Sequence, residues 1–188
     1  MKVIIINGSG GVGKDTFIRY AVPYFLINNT NSSVRTYSII DPIKELMTKI
    51  GIKLDKDEKN RKFMSDFKLL MDDYNDLPYR KLIDVFEHAY YYSYVDYNVF
   101  IAVMREPKDI SRFITELTHV YGFDGKDIYT VLVCNDRVKP ITSNIADASV
   151  NYIKYDVVID NNGTYEELRN KAKEFVDYVM LNHTNEEE

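Results

Sequence analysis

Several residue types are scarce in this chain, and each scarcity excludes some classes of protein. A single cysteine, Cys134, excludes an internal disulfide and is typical of a reducing compartment. No apolar run approaches the roughly 18 residues that a membrane-spanning helix needs. The apolar stretch at the start ends at Ile6, which is too short for the core of a signal peptide. We therefore expect a cytoplasmic protein with no membrane association.

Positive charge is also in short supply. The 188 residues carry 24 Lys and Arg against 29 Asp and Glu, a net charge of −5, and three of the acids are the terminal residues 186–188. This balance argues against general binding to nucleic-acid backbones, although it leaves room for a local basic site. Hydrophobic residues make up 45% of the chain, so it can build the core of one domain without disulfides.

Five apolar runs alternate with segments of helical period. The runs cover residues 2–7, 34–40, 98–104, 127–134 and 155–160. The first run is continuous and β-branched, as in a strand that is covered on both faces. Alternating strands and helices predict a three-layer α-β-α fold around a five-stranded parallel sheet with right-handed crossovers. The stretch between the second and third runs is too long for one crossover helix, so we expect a helical insertion at about 51–97 within a single domain, 1–188.

A longer helix is predicted inside this insertion, over residues 56–74. It has an apolar stripe, which an amphipathic helix normally packs against the core. The stripe consists of Phe63, Phe67, Leu70, Met71 and Tyr74. The residues on another face are Arg61, Ser65, Lys68 and Asp72.

A glycine-rich segment follows the first strand and leads directly into a helix. Residues 8–14 read Gly-Ser-Gly-Gly-Val-Gly-Lys and match the pattern G-x-x-x-x-G-K. Glycines let successive backbone N–H groups point inward, the helix N-terminus adds positive potential, and the lysine reaches the β- and γ-phosphates. The alternative is a glycine-rich turn beside a surface lysine. The position between strand and helix favours a nucleotide phosphate site. The residues assigned to it are Gly8, Ser9, Gly10, Gly11, Val12, Gly13, Lys14, Asp15 and Thr16.

One residue departs from the usual loop. The Ser or Thr that normally follows the lysine and binds Mg²⁺ is replaced by Asp15, with Thr16 next. Either Asp15 helps to bind the metal, directly or through water, or it turns away as a cap of the helix N-terminus, where an acid is favourable. The hydroxyl of Thr16 can still donate to a phosphate oxygen.

Four segments make the sequence similar to one group of kinases. The Gly-Lys-Asp-Thr end of the loop, residues 13–16, resembles the phosphate loop of phage-type deoxynucleoside monophosphate kinases. Residues 37–45 contain Asp-Pro-Ile-Lys-Glu, and residues 103–107 end in Arg-Glu-Pro. These two segments and residues 155–168 are similar to later segments of the same group.

The resemblance covers about residues 1–50 and 98–180 and is poor across 51–97. It implies a P-loop kinase with ATP as phosphate donor, Mg²⁺ as metal and a small-molecule nucleotide as acceptor. It does not fix the base of the acceptor, and it leaves the oligomeric state open.

The resemblance also implies roles for basic residues on the acceptor side. Arg105 follows the third strand, at the sheet edge where ligands bind in open α/β folds, and would bind the acceptor phosphate. The alternative is an ion pair with Glu106 or Asp109. Arg61 and Lys68 lie in the insertion, where such kinases keep an acceptor-binding arm. The alternative for both is a solvated helix face.

Two further candidates come from other strand ends. Arg137 lies where the fourth strand leaves for a polar segment, about 136–151, the position of a mobile lid in monophosphate kinases. A lid excludes water, so that transfer to the acceptor outcompetes hydrolysis. The third strand ends without the acid that often binds Mg²⁺ in P-loop enzymes. Asp41, after the second strand, is therefore the candidate to orient the acceptor or hold the metal, and a helix N-cap is its alternative.

These features lead to the hypothesis of an ATP- and Mg²⁺-dependent kinase for a (deoxy)nucleoside monophosphate. Its catalytic residues would be Lys14, Asp41, Arg105 and Arg137. Two alternatives stay open. One is a P-loop kinase for another small phosphorylated metabolite, and the other is a non-catalytic nucleotide-binding regulator, which the missing acid favours. A GTPase is disfavoured because residues 134–137, Cys-Asn-Asp-Arg, lack the lysine and spacing of a guanine-reading Asn-Lys-x-Asp.

Overall fold

The computed structural model describes residues 1–27, 31–53, 55, 57–92, 94–95, 97–139 and 150–184. The strands are β1 (Lys2–Asn7), β2 (Ser32–Ser38), β3 (Tyr97–Val103), β4 (Ile128–Cys134) and β5 (Val157–Asp160). The longer helices are α1 (Lys14–Ile27), α2 (Asp41–Lys49), α3 (Glu58–Asn75), α4 (Leu77–Tyr91), α5 (Pro107–His119) and α6 (Tyr165–Thr184). Short 3₁₀ turns cover Gly125–Asp127 and Val150–Tyr152.

Several helices begin at clear local signals. Proline stands in the first turn of α2, α4 and α5, where its fixed φ suits the helix and its missing N–H is not needed. The Asp57 carboxylate accepts a hydrogen bond from the backbone N–H of Asn60 at 2.7 Å and caps α3. The Thr164 hydroxyl accepts from the N–H of Glu167 at 3.2 Å ahead of α6. Local chemistry therefore fixes where these helices start.

The five strands form one parallel sheet in the order β2-β3-β1-β4-β5, so the predicted five-stranded parallel sheet is confirmed. The strand bounds differ from the predicted ones by at most two residues. β1 is central, because Ile4 lies opposite Ile101 of β3 on one side and Tyr129 of β4 on the other. The segment that follows β1 therefore emerges at the middle of the carboxyl edge, between the ends of β3 and β4.

Both faces of the sheet are covered by helices, as the continuous apolar run of β1 predicts. Val3 and Ile5 point into a core shared with α4 and α5. Ile4 and Ile6 point into a second core shared with α1 and α6. Full burial of each such side chain contributes about 1.5–3 kcal/mol to folding. Helix α4 lies in one covering layer, with Leu82 and Phe86 completely buried.

The orientation of α3 differs from the prediction. Three residues of its apolar stripe are exposed, Phe63 at 40%, Leu70 at 59% and Tyr74 at 79%, while Phe67 and Met71 are half-buried. Its polar face is the buried one, because Ser65 and Lys68 are nearly inaccessible. The prediction that the stripe packs inward is wrong. The physical reason is that Lys68 finds carboxylate partners on α5, described below, which periodicity within one helix does not reveal.

The helices in the described part of the chain are all too short or too polar to cross a membrane.

Candidate phosphate-binding site

The chain turns sharply after β1, and three glycines allow that turn. Gly8, Gly11 and Gly13 have φ values of +145°, +92° and +100°, a region that residues with a Cβ rarely adopt. A Cβ on Gly8 would also collide with the carbonyl oxygen of Val133 in β4. The loop therefore packs so closely against its neighbouring strand that only glycine fits at its first position.

Lys14 begins α1 and closes the loop. Its side chain is buried, and its ammonium donates hydrogen bonds to the carbonyl oxygens of Gly8 and, at 2.8 Å, of Ser9. The Gly13 carbonyl accepts from the N–H of Phe17 at 2.9 Å, which starts the hydrogen-bond ladder of α1. The ammonium and the positive end of a 14-residue helix thus converge on one small loop. This arrangement attracts phosphate oxygens.

Asn7 links the loop to neighbouring strand ends. It is fully buried, and its side-chain oxygen accepts from the N–H of Gly8 at 2.6 Å. Its Nδ2 donates to the carbonyl oxygen of Arg105 at 3.0 Å and to the phenol oxygen of Tyr155 at 2.7 Å. Burial raises the pKa of Tyr155 to about 12, so this phenol keeps its proton and donates to the carbonyl oxygen of Val150 at 2.6 Å. Asn7 therefore fixes the backbone at Arg105 against the start of the loop.

The chain segments after β4 and β5 lie against the other side of the loop. Asn161 follows β5, and its Nδ2 donates to the carbonyl oxygen of Val12 at 2.8 Å. A Cβ built on Gly13 would collide with that same amide nitrogen. Val138 follows β4, and a methyl carbon of its side chain lies 3.8 Å from the place of a Cβ on Gly11. The segments that follow β3, β4 and β5 thus all lie close to the loop after β1 or to its support Asn7.

The two predicted arginines lie on the edge of the sheet that carries the loop. Arg105 is half-buried, two residues beyond β3, with its carbonyl held by Asn7. Arg137 is exposed, and its guanidinium donates to the carbonyl oxygens of Gly163 at 2.9 Å and Asn161 at 3.4 Å. Their roles towards a transferring group stay predictions. Residues 140–149 of the predicted lid lie outside the described residues.

Asp41 opens α2 instead of ending β2, which stops at Ser38. Its carboxylate accepts from the N–H of Ser38 at 3.1 Å and from the ammonium of Lys44 at 2.8 Å. The carboxylate thereby closes the strand-to-helix turn, while the N-cap position itself is occupied by Ile40. The predicted role of Asp41 towards a metal or an acceptor stays a prediction.

Two side chains with oxygen atoms, Asp15 and Thr16, lie where α1 begins. Asp15 is exposed and Thr16 is half-buried, in the first turn directly after Lys14. Mg²⁺ in phosphate sites takes one or two carboxylates and completes its shell with water and phosphate oxygens. This pair fits such an ion. Within the described ranges no group of three or more His, Cys, Asp or Glu side chains could hold a metal.

Lys68 is buried in a cluster of opposite charge next to Arg105. Its ammonium lies 2.8 Å from carboxylate oxygens of Asp72 and Asp109 and 3.6 Å from that of Glu106. Burial lowers the pKa of Lys68, but the charges of Glu106 and Asp109 outweigh it and raise the pKa above its ordinary value. The interpretation of Lys68 as part of a solvated face is wrong. Its predicted contact with substrate stays a prediction, and the ammonium would have to leave these partners to make it.

Arg61, the other basic residue predicted on the acceptor side, is half-buried in the first turn of α3. Seven residues separate it from Lys68, so the two lie on one face of the helix, about 10 Å apart along its axis. Through Lys68 this face contacts Asp109 of α5 and Glu106, the residue after Arg105. A role of Arg61 in binding an acceptor stays a prediction.

Sequence reasoning missed three residues that touch the loop or its supports. Asn7 carried a signal, because a polar residue ends an otherwise apolar strand directly before a glycine. Asn161 belongs to an Asn-Asn-Gly segment that indicates only a turn, and nothing local distinguishes it from Asn162. Tyr155 was predicted only as part of a strand, because its contact with Asn7 spans 148 positions of the sequence.

These features define the class of fold. A five-stranded parallel sheet covered by helices on both faces, with a glycine-rich loop between the central strand and the first helix, is the three-layer fold of P-loop NTPases and kinases. The predicted fold class is therefore confirmed.

The solved structures that resemble this chain share little sequence with it. No family model and no curated protein matches the chain. Among solved structures, an APS kinase from Mycobacterium tuberculosis is 14% identical, covers 96% of this chain and 99% of its own, and has a TM-score of 0.45. A shikimate kinase from Acinetobacter baumannii is 11% identical, and the match covers 97% of this chain and 94% of the kinase, with a TM-score of 0.45. A sugar kinase from a Janibacter species is 12% identical, and the match covers 94% of this chain and 95% of the kinase, with a TM-score of 0.44. Such distant likeness concerns the fold alone and assigns no substrate.

Proposed function

We propose that this protein is an ATP-dependent kinase that transfers a phosphoryl group to a (deoxy)nucleoside monophosphate. The observation that carries the proposal is the loop between β1 and α1. There, three glycines with positive φ and the buried ammonium of Lys14 converge at a helix N-terminus. A loop of this kind binds the β- and γ-phosphates of a nucleoside triphosphate.

The donor side is formed by the backbone N–H groups of residues 8–16 and by Lys14. The ammonium of Lys14 already lies over the loop, where it donates to the carbonyl oxygens of Gly8 and Ser9. Phosphate oxygens carry more negative charge than these carbonyls and compete for the same donor. The lysine would therefore transfer its hydrogen bonds to the donor phosphates with little movement.

The acceptor side needs cations as well, because phosphoryl transfer holds two anions in line. Arg105 lies beside the loop at the end of β3, and Arg137 lies at the exit of β4. An arginine can bind two phosphate oxygens at once, which suits both the transferring group and the acceptor. Asp41, on the β2 side, is oriented by Ser38 and Lys44 and is the candidate to orient the acceptor.

Mg²⁺ fits the start of α1, where Asp15 and Thr16 would hold it. When bound, the ion neutralises charge on the donor phosphates. The remaining contributions come from the chain itself, since positioning and charge complementarity supply most of the catalysis in this reaction class.

A second candidate function has one observation in its favour. β3 ends in Val103 and continues with Met104 and Arg105, so it lacks the acid that often holds Mg²⁺ in P-loop enzymes. This absence favours a nucleotide-binding regulator that does not turn over. A kinase for another small phosphorylated metabolite uses the same donor site and differs only on the acceptor side.

One assay separates these functions. ADP release is measured with ATP, Mg²⁺ and a panel of ribo- and deoxynucleoside monophosphates, followed by phosphorylated sugars and other small phosphorylated metabolites. We expect turnover with at least one monophosphate. Turnover only with another metabolite would identify that metabolite, instead of a nucleoside monophosphate, as the acceptor. Tight ATP binding without any turnover would establish the regulator.

A further inference from the structure

Asn161, directly after β5, donates a side-chain hydrogen bond to the phosphate loop. Its Nδ2 donates to the carbonyl oxygen of Val12 at 2.8 Å. The same nitrogen stands so close to Gly13 that a Cβ there would collide with it. The amide of Asn161 therefore lies in close contact with the Val12–Gly13 peptide unit.

This contact sets the direction of one loop N–H group. The Val12 carbonyl and the Gly13 N–H belong to one planar trans peptide unit, in which the two groups point in opposite directions. A carbonyl that is held towards Asn161 turns the Gly13 N–H to the opposite side of the chain. Gly13 has a φ of +100°, so its backbone could adopt other orientations if nothing fixed this plane.

Asn161 is itself held rigidly. Its backbone N–H donates to the carbonyl oxygen of Cys134 at 2.8 Å. Its own carbonyl accepts from Nδ2 of Asn135 at 2.7 Å and from the guanidinium of Arg137 at 3.4 Å. The amide that aims the loop thus rests on the ends of two strands. Donors that are fixed before a ligand arrives do not have to reorganise when it binds.

We propose that Asn161 is a positioning residue of the phosphate loop, which pins the Val12 carbonyl and thereby aims the Gly13 N–H at a phosphate group of the bound nucleotide. The proposal rests on the proposed function only in that the loop must bind a phosphate chain. It applies equally to a kinase and to a regulator that does not turn over.

The chemistry of the contact selects the test variants. Asn161→Asp keeps the shape but replaces the donating amide by a carboxylate, which repels the Val12 carbonyl. Asn161→Ser removes the amide without adding charge. Asn162→Ser is the matched control, because Asn162 lies in the same turn and bonds to Asp136 and Asp160 instead of the loop.

Affinity is measured by calorimetry with two probes, MgATP and inorganic tripolyphosphate. We expect Asn161→Asp and Asn161→Ser to weaken both probes by at least 10-fold and by similar factors, because the loss belongs to the phosphate site. Asn162→Ser should stay within about 2-fold of the wild type. Wild-type affinity in both Asn161 variants would overturn the proposal, and so would an equal loss in the Asn162 control.

A second measurement needs no variant. In a ¹⁵N-labelled wild-type protein, the Gly13 amide resonance should move strongly downfield when tripolyphosphate binds, as expected for an N–H that donates to a phosphate oxygen. A Gly13 amide that stays in place while ligand binds would overturn the proposal even if the variants failed to fold. Wild-type protein that binds neither probe would instead overturn the proposed function.

Discussion

The phosphate loop and helix α3 encode their roles in different ways. In the loop, the functional residues are contiguous. Its glycines are required by their own positive φ values and by close contacts with neighbouring segments. In α3, the buried face is selected by Lys68, and one of its partners, Asp109, lies 41 positions later in the sequence. A motif can therefore be recognised in the sequence where its chemistry is local. The orientation of an amphipathic helix cannot be predicted from the sequence in this way when distant charges compete with its apolar stripe.

Charges around Lys68 allow the polar face of α3 to be buried. Isolated burial of an ammonium costs several kcal/mol, and the nearby carboxylates of Asp72, Glu106 and Asp109 offset this cost. Leaving Leu70 and Tyr74 outside forfeits about 1.5–3 kcal/mol of burial for each of them at most. The cluster therefore links α3 to α5 through the ion pair of Lys68 with Asp109.

The largest effect that tests this contrast is expected from Lys68→Met. Methionine has similar length but no charge, so three carboxylates would be left together without their shared cation. Breaking a buried cluster in this way costs about 3–5 kcal/mol, which urea unfolding would measure. The matched control is Lys62→Met, which removes the exposed ion pair with Asp66 and should cost at most about 0.5 kcal/mol. Equal losses in the two variants would contradict the buried cluster.

The loop is tested next by Lys14→Ala. This change removes a charge aimed at the transferring phosphoryl group, so we expect ADP release to fall at least about 100-fold while the protein stays folded by circular dichroism. Lys173→Ala, an exposed position on α6, serves as the control and should keep the wild-type rate. An active Lys14→Ala variant would mean that the loop is not the donor site.

A smaller effect concerns the pH dependence of stability. Burial raises the pKa of Glu106, although Lys68 partly opposes the shift. The folded protein therefore keeps a proton that the unfolded chain releases above its ordinary pKa of 4.5. The stability that this proton contributes is complete below pH 4.5 and is lost as pH rises through the folded-state pKa.

Glu106→Gln cannot ionise, so it should flatten that part of the curve of unfolding free energy against pH. The curve is measured by urea unfolding at pH values between roughly 4 and 8, a range that begins below the ordinary pKa of 4.5. An unchanged slope in the variant would show that Glu106 does not titrate in this way.

The smallest effect is expected on the outward face of α3. Leu70 is 59% exposed, so Leu70→Ala should change the free energy of unfolding by no more than about 0.5 kcal/mol. Leu82 on α4 is fully buried, and Leu82→Ala should cost about 2–5 kcal/mol. A large loss for Leu70→Ala would restore the sequence-based orientation of the stripe.

The sequence was sufficient for the sheet and for the loop. Continuous β-branched runs identify buried parallel strands, and glycines between a strand and a helix identify the turn, because both signals depend on neighbouring residues only. The residues that support the loop could not be identified from the sequence. Asn161 acts across 149 positions on Val12, and its neighbour Asn162 looks the same in the sequence. The burial of Lys68 likewise depends on carboxylates that only the folded chain brings together.

The most direct test of the central claim is a crystal structure with a non-hydrolysable ATP analogue and Mg²⁺. The account predicts that the triphosphate lies within about 2.7–3.2 Å of the N–H groups of residues 8–16. It also predicts that the Lys14 ammonium has left the carbonyl oxygens of Gly8 and Ser9 for phosphate oxygens. Density for the analogue elsewhere on the protein, with the loop and Lys14 unchanged, would contradict it.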